Sequence, residues 1–188
     1  MKKKQLLSLA ALGAFVLGVI VWLFVSSVKF NNGELPAVSA NGLKMMFGLE
    51  AEYVFSTEVF GQTIQTTQQL VVTEFRFLGL VVLLVAVLAL ALGVLAYMGK
   101  VKSGVVAVAF VLVAGLMLWV GLTMESGYSE AMLKSIEELN AGNVLLEKFG
   151  QDPVPLPYSW SLGIGTYLGM VFTLLGAGVS VYSHLKVK

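Results

Sequence analysis

Few residues in this chain could do chemistry, and their positions narrow what that chemistry could be. Glu50, Glu52, Glu58 and Glu74 fall in one stretch. Brought together they would offer oxygens to a hard cation such as Ca²⁺, which takes several. No Asp-x-Asn type loop organises them, and a solvated negative surface accounts for them equally, so no metal site is assigned. Glu137-Glu138 reads as the wet side of a helix. A carboxylate pair for glycoside or peptide hydrolysis needs a cleft, and nothing in the sequence builds one. His184 is the only histidine and stands beside Lys186 and Lys188. A lone histidine lacks the partners that acid–base catalysis needs. The chain has no cysteine, which excludes disulfides, thiolate metal sites and cysteine nucleophiles. Gly-Ile-Gly-Thr-Tyr-Leu-Gly at Gly163–Gly169 looks like a dinucleotide fingerprint. It is read as a false match, because no strand is expected before it and its surroundings are apolar. No catalytic, cofactor-binding or metal-ligating residue is assigned, and the chain is read as not an enzyme.

Two patterns point to packing instead. Gly165, Gly169, Thr173 and Ala177 recur at steps of four. On a helix they form one ridge of small side chains, which allows close approach of a neighbour. Ala10, Ala14 and Gly18 form a similar ridge. Each would serve packing within one copy, dimerisation, or docking on a partner protein. The second pattern alternates: Tyr53, Phe55, Thr57 and Val59 on one side, Glu52, Val54, Ser56 and Glu58 on the other. A two-residue turn at Gly61-Gln62 would pair Val59 with Ile64, Thr57 with Thr66, Phe55 with Gln68 and Tyr53 with Leu70. One face of that hairpin collects Tyr53, Phe55, Val59, Ile64 and Leu70. A lone hairpin is marginal in water. It needs a further strand, near Leu35–Ser39, or a helix. Met132, Ile136 and Leu139 recur at helical spacing over Tyr128–Asn140 and could supply that cover. Glu130, Lys134 and Glu138 make i,i+4 pairs there, and Ala141-Gly142-Asn143 breaks the helix. The polar strand Thr63–Gln69 could offer its edge to another chain, or be covered within the molecule.

The elements that carry these patterns are set by composition. The chain has 188 residues, 57% of them hydrophobic, and a mean hydropathy of +0.87. A soluble domain of this size could not hide so much apolar surface, so the bilayer is the expected solvent. All 11 acids lie in two segments, Glu34 to Glu74 and Glu125 to Asp152. The chain ends and the turn at Gly99–Ser103 carry only lysines: Lys2, Lys3, Lys4, Lys100, Lys102, Lys186 and Lys188. This positive-inside pattern predicts cytoplasmic N- and C-termini and two extracytoplasmic loops in the cell membrane. The lysines are topology determinants that touch anionic lipid headgroups; nothing reads as a nucleic-acid footprint.

The predicted order is a first span at 5–28, an outer loop at 29–76, a second span at 77–98 and an inner turn at 99–104. A third span follows at 105–124, an outer loop at 125–161, a fourth span at 162–182 and a cytoplasmic tail at 183–188. The first span's apolar run is too long for the ~7–15-residue core of a signal peptide and reads as an uncleaved anchor. Trp22, Trp119 and Trp160 fall near outer span ends, as an aromatic belt would. A helical turn or two is expected at Val144–Phe149, and Asp152–Pro157 is a stiff strap into the fourth span. No span contains Asp, Glu, Lys, Arg or His, whereas proton relays and most ion-coupled transporters keep such a group in the bundle.

The layout resembles claudin-like tetraspan proteins: cytoplasmic ends, a larger first outer loop with β-structure, a tight inner turn, and a helix in the second outer loop. The resemblance is one of architecture and covers the whole chain; the first loop has neither the tryptophans nor the cysteines of the claudin signature. Ser39–Gly48 is similar to a short motif in the outer loop of small uncharacterised bacterial tetraspan proteins. Gly48 is expected to end a short helix that holds Leu43, Met46 and Phe47 against the bilayer or the hairpin. The expected fold is an all-α membrane protein, an antiparallel four-transmembrane-helix bundle with a small extracytoplasmic β-hairpin/helix cap. The expected function is that of a scaffold, adhesion element or accessory subunit. Its acidic cap would bind an envelope or membrane protein, or a second copy of the chain. The alternative is a transport component or pore-forming oligomer.

Overall fold

A computed structural model describes residues 3–32, 35–47, 49–59, 62–72, 76–142 and 158–186, with side chains described at 3–29, 39–47, 77–123 and 161–186. The order is α1 (Lys3–Phe24), β1 (Val28–Asn32), β2 (Leu35–Ala40), α2 (Gly42–Phe47), β3 (Leu49–Val59), β4 (Gln62–Val72), α3 (Arg76–Tyr97), α4 (Ser103–Gly142), β5 (Tyr158–Leu162) and α5 (Ile164–Lys186). Among the described residues, four helical stretches, Lys3–Phe24, Phe77–Tyr97, Ser103–Thr123 and Ile164–Lys186, are long and apolar enough to cross a membrane. Their outward faces carry Leu6, Leu17, Ile20, Leu84, Leu88, Val108, Leu112 and Leu175, all exposed. A helix apolar on its outer face suits lipid, where a helix on a soluble domain would turn polar residues outward.

The core follows from what is left to face inward. Phe15 of α1 stacks on Phe110 of α4, ring centroids 4.0 Å apart and 11° from parallel. Ala11, Val82, Ala89, Val113 and Met117 fill the space around them. Contacts between α1 and α5 run in opposite chain order. Gly165 lies against Val25, Gly169 against Gly18 and Trp22, and Gly176 against Ala11. The same holds for α4 and α5, from Gly104 beside His184 to Gly121 beside Thr166. Each pair is therefore antiparallel.

Between α3 and α4 the chain reverses tightly. Gly99 has a φ of 79°. Its N–H donates to the Ala96 carbonyl at 3.0 Å, and the Lys100 N–H donates to the Leu95 carbonyl at 2.9 Å. This double bond pattern is a Schellman cap with glycine at the left-handed position. Gly99→Ala should cost about 1–2 kcal/mol, because a Cβ is disfavoured at that φ. Thermal or denaturant unfolding in detergent checks it against Gly115→Ala.

Above the helices the strands form two sheets, one of order β2-β1-β5 and one of β3-β4. The first span ends at Phe24, not Val28, and the chain passes into β1. Leu162, expected to open the fourth span, ends β5, which pairs antiparallel with β1 from Val28↔Leu162 to Asn32↔Tyr158. The α1/α5 helix pair and the β1/β5 strand pair are thus one antiparallel unit that changes from helix to strand. The strand expected near Leu35–Ser39 exists as β2, but it pairs with β1 and not with the hairpin.

The hairpin exists with a different register. Val59 pairs with Gln62, Thr57 with Ile64, Phe55 with Thr66 and Tyr53 with Gln68. The offset from the expected pairing is two residues, so the parity of positions 53, 55, 59, 64 and 70 is unchanged. Pairing closes at 59 and 62, against the expected Gly61-Gln62 turn. The second outer segment also differs: α4 continues as one helix of 40 residues to Gly142. A single Gly127 costs only about 1 kcal/mol, and the helical pattern of 128–140 continues on from the span without a Pro. The expected turn at Val144–Phe149 and the strap Asp152–Pro157 lie outside the described residues, as does Gly48.

Candidate functional site

The densest arrangement of unusual residues lies along the seam between α1 and α5 and at the junction above it. Gly165, Gly169, Thr173 and Ala177 are all buried, together with Gly176. A Cβ at Gly18 would lie 2.5 Å from Thr173 Oγ1 and 2.7 Å from the Gly169 carbonyl oxygen, and one at Gly176 would lie 2.8 Å from the Ala11 carbonyl oxygen. The structure therefore sets the ridge against α1 of the same copy, with backbone on backbone. The facing residues of α1 are Ala11, Phe15, Gly18 and Trp22. The expected α1 ridge differs: Ala10 is exposed and Ala14 half-buried. A repeat of three and four residues follows the 3.6-residue turn, which steps of four overshoot.

At the junction α1 stops because its backbone finds other partners. The Ser27 hydroxyl donates to the Trp22 carbonyl at 3.1 Å. The Ser27 N–H donates to the Ala40 carbonyl at 2.6 Å. The Ser27 carbonyl accepts from the Gly163 N–H at 2.7 Å and from the Thr166 hydroxyl at 2.9 Å. The Gly165 N–H donates to the Ser26 carbonyl at 2.8 Å. A Cβ at Gly163 or Gly165 would collide with the Ser26 or Val25 carbonyl oxygen. A strand does precede Gly163, against expectation, and the glycines are spent on this approach. The pairing of β5 with β1 is antiparallel, not the parallel crossover that a dinucleotide site requires.

Asn41 ties the third corner. Its Oδ1 accepts from the Lys44 N–H at 2.9 Å, an N-cap of α2. Its Nδ2 donates to the Phe24 carbonyl at 3.3 Å, closing the end of α1. The short helix so fixed is wedged between α1 and α3. A Cβ at Gly42 would lie 2.6 Å from the Trp22 ring, and one at Gly79 would lie 2.8 Å from Met46 Cγ. Met45 and Met46 are buried, while Phe47 is 75% exposed. Trp22 is accordingly no belt residue: it is 1% exposed, covered by α2 because the chain folds back after Phe24. Its Nε1 has no hydrogen-bond partner among the described residues. Trp119, 50% exposed, does face outward; the Trp160 side chain lies outside those described. Asn41→Ala should cost about 1 kcal/mol and raise amide exchange of Lys44 to Phe47 selectively, as read by hydrogen–deuterium exchange.

Chemically, the hydroxyls of Ser27, Thr166 and Thr173 at this seam are already engaged with main-chain carbonyls, Thr173 Oγ1 with that of Gly169 at 2.7 Å; the buried Ser183 Oγ of α5 has no hydrogen-bond partner among the described residues. Among the described residues no three His, Cys, Asp or Glu side chains gather as a metal site. His184 is exposed beside Gly104 in the first turn of α4. Side chains of the expected cap face, Tyr53, Phe55, Val59, Ile64, Leu70, Met132, Ile136 and Leu139, lie outside those described. So do those of Glu50, Glu52 and Glu58, and Glu74 is not described at all.

Sequence reasoning passed over Ser27, Thr166 and Asn41. The signals were present in the Ser26-Ser27 pair closing an apolar run and in Asn41 before Gly42, an N-cap pattern. No protein-family model matches the chain, and no curated protein matches it either.

Proposed function

We propose that this chain is a non-enzymatic multi-pass protein of the cell membrane, an antiparallel four-helix bundle with cytoplasmic termini and a cap outside. The cap docks on another envelope or membrane protein, so that the chain acts as a scaffold, adhesion element or accessory subunit. The observation that carries the reading is the contrast between the two parts. The bundle is closed at its centre by the Phe15/Phe110 stack, with Met117, Val113 and Val120 fully buried, which leaves little to a conducting path through one copy. The parts above it are extended. The two-stranded β3-β4 ribbon pairs over eleven residues per strand, and a ribbon of two strands is marginal unless something adds to it. Strand addition at the polar β4 edge is the natural mode.

The cysteine-free chain makes the test clean. Single cysteines at Thr66 and at Lys102 are treated in intact cells with a membrane-impermeant thiol reagent. Thr66→Cys should label and Lys102→Cys should not; the reverse pattern would invert the topology and end the reading. A mild-detergent pull-down should then recover a stoichiometric membrane protein that Tyr53→Ala or Ile136→Ala releases. Recovery of the chain alone, with flux through liposomes, would favour the pore-forming oligomer.

A further inference from the structure

The face of α5 turned away from the bundle carries a groove of about 560 Å³. Leu7 of α1 forms one wall, and Val171, Leu174, Gly178 and Tyr182 of α5 run along it. Tyr182 supplies the one polar side-chain atom of its lining. Gly178 lines the recess, and a Cβ there would meet none of the described residues within 4 Å. From Val171 to Tyr182 the groove runs about 16 Å along the helix, close to half of the ~30 Å hydrocarbon core of a bilayer. It is one leaflet long.

Its end is charged. Lys3 lies four residues before Leu7, and Lys186 four residues after Tyr182. Steps of four keep both lysines on the groove's side of their helices, one turn beyond its mouth. Both are exposed. The chain has no acid before Glu34 and none after Asp152, so α1 and α5 offer these lysines no carboxylate. The groove thus needs an occupant that is apolar over one leaflet and anionic at its end.

We propose that it seats an acyl chain of an anionic glycerophospholipid, with the headgroup phosphate between Lys3 and Lys186. A second copy fits worse. Two copies inserted with the same orientation would bring four lysines to one depth with no acid between them. The proposal rests on the membrane placement of the helices and not on what the cap binds.

The test uses the full chain in nanodiscs of equimolar phosphatidylglycerol and phosphatidylcholine, read by native mass spectrometry. One phosphatidylglycerol should stay bound, preferred over phosphatidylcholine roughly tenfold, since each lysine near a lipid surface favours an anion. Gly178→Leu fills open space and should cut retention roughly tenfold. Gly115→Leu, also in open space but on α4, should leave it unchanged. The double variant Lys3→Gln, Lys186→Gln should keep one lipid and lose the preference. No preference in the parent chain, or equal retention in Gly178→Leu and the parent, overturns the proposal. A dimer that Gly178→Leu dissociates overturns it too, because the groove would then hold a second copy.

Discussion

Gly165→Val should be among the most damaging substitutions in the molecule, with loss of more than about 3 kcal/mol and little folded protein recovered from membranes. Overpacking a core costs about 1–3 kcal/mol when side chains can yield. Here the added Cβ meets the carbonyl oxygens of Val25 and Ser26, which are backbone and are already bound. Moving them breaks the Gly165 N–H bond to the Ser26 carbonyl and, next to it, the two bonds accepted by Ser27. Those groups sit where few waters can replace them, so each broken bond leaves a desolvated polar atom behind. Gly178→Val is the matched control on the same helix, since it enters open space. Equal melting temperatures for the two variants in detergent would show that the close approach at Gly165 is not what holds α5 to α1.

The second large effect concerns the ribbon. Excising Leu49–Val72 and joining the flanks by a short Gly-Ser linker should abolish partner capture while leaving the bundle folded. The geometry permits the cut, because Met46 at the end of α2 lies against Gly79 near the start of α3. The ends to be joined therefore leave the bundle close together. Retention of the same partner at the same stoichiometry after excision would move the docking surface off the ribbon, onto the outer part of α4 or the three-stranded sheet. Loss of the folded bundle, read as loss of a sharp melting transition, would instead make the ribbon part of the core.

The four apolar helices were legible because their signal is local and long. Runs such as Phe77–Tyr97, 21 residues without a charge, leave no competing reading. The tight reversal at Gly99 was equally plain. What the sequence hid were the ends. Whether Ser26–Val28 continues a helix or opens a strand is decided by the Thr166 hydroxyl and the Gly163 N–H, and Thr166 lies 139 residues from Ser27. No window along the chain contains both partners. The same limit produced the aromatic-belt reading of Trp22: its burial depends on α2 folding back over it. In the hairpin, the alternation set the faces, but a turn displaced by one residue changes the pairing by two. The pattern is blind to that shift, because it preserves parity. The ridge of Gly165, Gly169, Thr173 and Ala177 was legible as a ridge, while the helix that faces it was not.

The length of α4 has a mechanical meaning. Its 40 residues span about 60 Å, twice the thickness of a hydrocarbon core. The part beyond Met124 is thus an arm of about 27 Å rooted in the bundle. Membrane helices tilt by tens of degrees to match bilayer thickness. A tilt of about 10° at the root would sweep the arm's tip roughly 5 Å sideways. A change in the thickness of the lipid around the spans would thereby appear as a displacement of the arm's tip beyond them.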